Sequence, residues 1–137
     1  MGSCFVDYVA CWYKKAAQLI KGTGVKCAFV STNSICQGEQ VAALWQELFT
    51  QYKIQIDFAY QTFVWDSEST QKAHVYCVII GFSCHTDSEL LRNSTEKRIF
   101  NSDGTIVDVK NINGYLLDAP DIFINIRSKP LCDVPVM

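Results

Sequence analysis

The sequence predicts an α/β domain, a small sheet flanked by helices and closed at one end by an antiparallel hairpin. Three observations predict it. Apolar residues recur with helical spacing over residues 5–21. They do so again, more strongly, at Val41, Leu44, Trp45, Leu48, Phe49 and Tyr52. Runs rich in β-branched and aromatic residues occupy 25–31, 54–60 and 75–82, which is the composition a pleated, buried surface selects. The order helix, strand, helix, strand, turn, strand then gives an α/β layer ending in a hairpin.

Each element has its own justification. In the first helix the apolar stripe is Phe5, Val6, Tyr8, Val9, Trp12, Ala16, Leu19 and Ile20, and Gly22-Thr23-Gly24 stops it, because glycine accepts the left-handed conformation just past a helix end. This Gly-x-Gly follows a helix and opens a strand, the reverse of the order a phosphate loop requires. The strand at 25–31 leads into a polar loop, where Ser34 and Gln37 have the spacing of a capping box for the second helix. Trp45 and Phe49 on that helix are core residues. The strand at 54–60 alternates, and the pattern allows it to continue through Trp65. The run at 75–82 is apolar almost throughout, as a strand buried on both faces must be.

Beyond residue 82 comes a polar passage, then two short strands around Asn101-Ser102-Asp103-Gly104, whose Asp-Gly marks a hairpin turn. The remaining stretch holds all three prolines, Pro120, Pro130 and Pro135, and is expected to be an extended connector outside the core. Residues 1–86 are therefore expected to form one unit, and 87–137 a loop, a β-hairpin and a connector.

Composition narrows the function. A chain of 137 residues that is 49% hydrophobic is one ordinary globular domain, and a net charge of −2 argues against a broadly basic nucleic-acid surface, so any such contact is local. The seven cysteines are odd in number, contain no Cys-x-x-Cys and fall mostly at apolar positions, which fits reduced thiols in a cytoplasmic protein and no metal site. No apolar run is long enough to span a membrane.

Catalytic constellations are missing from these residues: there is no Gly-x-Ser-x-Gly, Walker loop or His-Glu-x-x-His. His74 and His85 lack partners at useful spacing, and Asp66 and Glu68 sit on a polar turn beside Lys72, where solvated carboxylates are the ordinary outcome. Phe63 and Trp65 are different. Two positions apart on an extended chain, they point to one side, and the polar stretch after them leaves them as a ledge near solvent. Such a ledge suits stacking of a planar ligand, worth about 1–3 kcal/mol per base. The alternative is that both rings fill the core under the hairpin.

The segments FVDYVACWYKKAAQLI, VKCAFVSTNSICQGEQVAALW, FAYQTFVWDSESTQKAHVYCVIIGF and VKNINGYLLDAPDIFI resemble the later half of the MmeI-type DNA methyltransferase domain, over nearly the whole chain. The resemblance implies a partial Rossmann-like sheet, its last three strands and terminal antiparallel hairpin with two helices, taken from a seven-strand fold. It implies methyl transfer from S-adenosylmethionine to the exocyclic amino group of adenine, within a restriction-modification polypeptide that binds DNA. Phe63 and Trp65 match the family's F-x-W segment, where the flipped adenine is expected to stack. The glycine-rich cofactor loop and the Asn-Pro-Pro-aromatic catalytic motif have no counterpart in these residues.

No catalytic or cofactor-binding residue is therefore assigned. The chain is expected to be the adenine-facing part of a methyltransferase, inactive alone and without its own cofactor, and completed by an upstream half. In the family's strand order the strand at 25–31 pairs with that at 75–82 and lacks its other neighbour, so an apolar edge is expected to drive homo-oligomerisation. A non-catalytic remnant serving as a protein interaction module is the alternative of a different class.

Overall fold

A central strand needs hydrogen-bonding partners along both edges, and the run beginning at Val75 has them. The computed structural model describes residues 6–66, 74–85 and 96–124. Its elements are α1 (Tyr8–Ile20), β1 (Lys26–Thr32), a 3-10 turn (Asn33–Cys36), α2 (Gly38–Gln51), β2 (Ile54–Trp65), β3 (Val75–Cys84), β4 (Lys97–Phe100) and β5 (Ile106–Val109). They form one five-stranded sheet in the order β1-β3-β2-β4-β5. β3 runs antiparallel to both β1 and β2, β4 lies parallel to β2, and β5 turns back on β4. The C-terminal hairpin thus extends the same sheet, through a turn in which Gly104, at φ 86°, donates to the Asn101 carbonyl.

Both helices pack on one face. Ile56, Ala59, Val78, Ile80 and Phe82 from the sheet meet Tyr13, Ala17, Val41, Leu44, Trp45 and Leu48 in a single core. The apolar stripe read for α2 is the buried one. That of α1 is rotated: its buried residues are Ala10, Tyr13, Ala17 and Ile20, whereas Tyr8, Trp12 and Leu19 are 78%, 55% and 82% exposed. The small side chains of Ala10 and Ala17 let the helix axis approach the sheet, and Tyr13 fills the space between. Its ring stacks on Phe82 and meets Phe29 and Trp45 edge-on, and its hydroxyl shares a 3.0 Å hydrogen bond with Ser31 Oγ. An ion pair, Lys14 to Glu47 at 2.7 Å, ties the two helices at their surface.

Two further expectations are corrected. The Ser34–Gln37 capping box does not form, because the polar loop winds into the 3-10 turn: Ser34 Oγ bonds Thr32 Oγ1 instead, and α2 begins without a side-chain cap. Among the described residues the stretch after β5, to residue 124, has no helix or strand, yet it enters the core through Ile112 and Leu116. It can do so because Gly114 presses against α2, where a Cβ would lie 2.8 Å from a Val41 methyl. Asn113 then closes the segment, its Oδ1 accepting from the N–H groups of Tyr115 and Leu117. Glu68, Lys72, Pro130 and Pro135 lie outside the described residues. Among the described residues no helix is long and apolar enough to cross a membrane.

Candidate functional site

β1 and β2 run in the same direction on either side of β3, so their carboxyl ends emerge together, the position at which α/β sheets bind ligands. The register aligns them: Cys77 of β3 faces Thr32 of β1 on one side and Phe63 of β2 on the other. Phe63 and Trp65 pair with Cys77 and Val75, so they share one face of the sheet, as their spacing predicts. Neither belongs to the core. Phe63 is half-buried and Trp65 is 55% exposed, which leaves the indole available to a planar partner.

The face that carries them is set by a register shift. Between Tyr60 and Phe63, β2 holds one residue more than β3, a bulge that bends the strand and re-aims the side chains beyond it. Without it, Phe63 and Trp65 would fall on the helix-covered face. With it they continue the side on which Phe58 and Tyr60 lie. The signal was present as odd spacing, Tyr60 to Phe63, within an otherwise alternating aromatic series.

Sequence reasoning missed the second part of this edge, the turn after β1. Asn33 Nδ2 donates to Thr62 Oγ1 at 3.4 Å, linking the turn to the bulge across β3. The buried Trp45 indole N–H donates to the Ile35 carbonyl at 2.9 Å and fixes the turn from below. Behind it opens a cleft of about 240 Å³, lined by Gln37, Gln61, Thr62, Ser102, Tyr115 and others. Its hydrogen-bonding groups are neutral, suited to base or sugar edges and unsuited to general acid–base work. Cys36 borders it without being a nucleophile: its thiol donates to the Asn33 carbonyl, and burial pushes its pKa up to about 11. Among the described residues no group of histidine, cysteine and carboxylate side chains could hold a metal ion. His74 is exposed, while His85 donates its backbone N–H to the Lys53 carbonyl.

The chain matches known proteins in sequence and in fold. Residues 2–101 match the family model of the MmeI DNA-methyltransferase domain. The chain is 42% identical over 130 residues to DNA methyltransferase A of Bacillus subtilis strain 168, covering 95% of this chain and 14% of that protein. It superposes on the type IIL restriction-modification enzyme MmeI, solved in complex with DNA, with a TM-score of 0.80 and 39% identity, over 96% of this chain and 18% of that one. The chain therefore spans a small part of the length of either relative. With a family model matching most of its length and a solved member sharing its fold, the chain belongs to the MmeI DNA-methyltransferase domain family.

Proposed function

We propose that this chain is the target-base side of an S-adenosylmethionine-dependent DNA adenine methyltransferase of a restriction-modification system, working in the cytoplasm. The observation that carries the reading is the ledge of Phe63 and Trp65, uncovered at the carboxyl edge of the sheet in a chain of this family. An adenine turned out of the duplex exposes two π faces, and an aromatic platform recovers part of the stacking it has lost. The cofactor does not fit the residues present: no glycine-rich turn follows β1 or β2, and Gly22 and Gly24 precede β1. The share of this chain is to receive and orient the base, while methyl-donor binding falls to other parts of the enzyme.

The test is substitution in the complete enzyme that contains this segment. Replacing the stacking ring by Ala lowers methyl transfer to DNA by about 1–3 kcal/mol of binding, and replacing it by another aromatic costs less. Normal methylation by both the Phe63→Ala and Trp65→Ala enzymes would contradict the assignment.

Association through β1 is the second reading that a specific observation favours. Among the described residues β1 ends the sheet, and Val30 on it is 57% exposed. Apart from Lys26, it carries none of the charges or prolines that protect an edge.

A further inference from the structure

The face of the sheet opposite the helices holds a cavity of about 500 Å³, and it is not at the carboxyl edge. Phe58, Tyr60 and Phe100 supply its aromatic wall, with Tyr60 and Phe100 stacked in parallel at 4.0 Å. Phe58 lies flat across β3 at Gly81, where any side chain would collide with its ring. Asp57, at the first bulge of β2, lines the same cavity and is 8% exposed. Its Oδ1 accepts from Ser83 Oγ at 3.0 Å and from Gln55 Nε2 at 3.1 Å. Its Oδ2 is buried and accepts from nothing.

A buried carboxylate oxygen without a donor is rare in folded proteins and calls for an explanation. Asp57 itself lines the cavity, so a donor placed there can reach this oxygen once the side chain turns. Stacked aromatic rings beside an acceptor favour a planar cation over an ammonium, because a guanidinium can lie on a ring face and donate in its own plane at once. Arg98 also lines the cavity, but its guanidinium is already paired with Asp108 and Glu96, each at 2.9 Å. The two described α-helices cover the other face, and the relatives carry several times more polypeptide than this stretch.

We propose that this cavity is a receptor for an arginine side chain, delivered by a polypeptide segment outside these 137 residues, of which the longer relatives carry much. The guanidinium donates to Asp57 Oδ2 after a small side-chain adjustment and stacks on the Phe58–Tyr60–Phe100 wall. The site does not depend on the base-stacking role of Phe63 and Trp65.

The test uses the chain as it stands, with N-acetylargininamide as probe and the neutral citrulline analogue as its isostere, monitored through the NMR shifts of the Phe58, Tyr60 and Phe100 ring protons. Saturable shifts with the arginine probe are expected, and binding of the citrulline probe should be weaker by about fivefold or more, as loss of a charge-assisted bond requires. Asp57→Asn should reduce that discrimination. Lys26→Met, which removes a cation from the cavity lining without touching the carboxylate, should tighten arginine binding. Equal binding of the two probes, absence of saturable shifts, or unchanged discrimination in a folded Asp57→Asn chain would each overturn the proposal.

Discussion

Tyr13 joins the helix layer to the edge strand, and removing its hydroxyl isolates that link. The phenol is fully buried, and its 3.0 Å partner Ser31 is 7% exposed, so neither oxygen has water to turn to. Tyr13→Phe keeps the ring contacts with Phe29, Trp45 and Phe82 and leaves Ser31 Oγ unpaired, a loss of about 1–3 kcal/mol. Ser31→Ala leaves the phenol unpaired and costs a similar amount. The double variant removes both groups, so its cost stays close to that of either single change, and the coupling is about as large as one single change, about 1–3 kcal/mol. Urea unfolding measures this as a lower midpoint at unchanged slope. The same burial pushes the Tyr13 pKa from its ordinary 10.0 up to about 12. The neutral phenol is then favoured by folding: its contribution is complete below pH about 10, and is lost as pH rises toward 12, by about 2–3 kcal/mol in all. Tyr13→Phe should flatten that alkaline loss. A Tyr13→Phe chain as stable as the parent, or strictly additive single changes, would refute the assignment of this bond as a buried, unreplaced contact.

The open face, the cofactor and the sheet edge each admit a separate test. Gly81→Ala places a methyl group inside the Phe58 ring, so Phe58 must leave its position; destabilisation of about 1–3 kcal/mol is expected by thermal unfolding, and Phe58→Ala in the same chain should relieve part of it. Calorimetric titration of this chain alone with S-adenosylmethionine should give no binding tighter than about millimolar, some 4 kcal/mol or less; micromolar binding would mean that the cofactor site lies within these residues. Light scattering at micromolar concentration should show an assembly larger than a monomer, reduced by Val30→Lys on the β1 edge. A monomer whose β1 amides exchange rapidly with deuterium would show that edge open and tolerated.

Periodicity and single-residue chemistry made much of the fold legible in the sequence. The stripe of α2 is regular enough to identify its buried face, and the Asp103-Gly104 pair locates a turn that only a residue free to take positive φ completes easily. α1 misled because Tyr8, Trp12 and Leu19 are larger and more apolar than Ala10 and Ala17, yet close approach to the sheet selects the small residues. Tertiary packing, not hydrophobicity, chose the face. Phe63 and Trp65 were legible as a pair sharing one side. Which side depended on a bulge whose register no local pattern specifies. The turn at Asn33–Cys36 was hidden for another reason: Trp45 and Thr62 hold it from 10 and 29 residues away, and contacts of that range leave no local trace. Asp57 looked like one more polar position in an alternating strand, and only burial revealed that one of its oxygens lacks a donor.

The proposed reception of a target adenine by these residues is tested most directly by exchanging the 130 matched residues of Bacillus subtilis DNA methyltransferase A for this chain and measuring methylated adenine in DNA by mass spectrometry. A folded chimaera should form N6-methyladenine, and changing Phe63 and Trp65 together to Ala should lower the yield at least about tenfold. Methylation on cytosine, or N6-methyladenine formed equally well without either ring, would contradict that role.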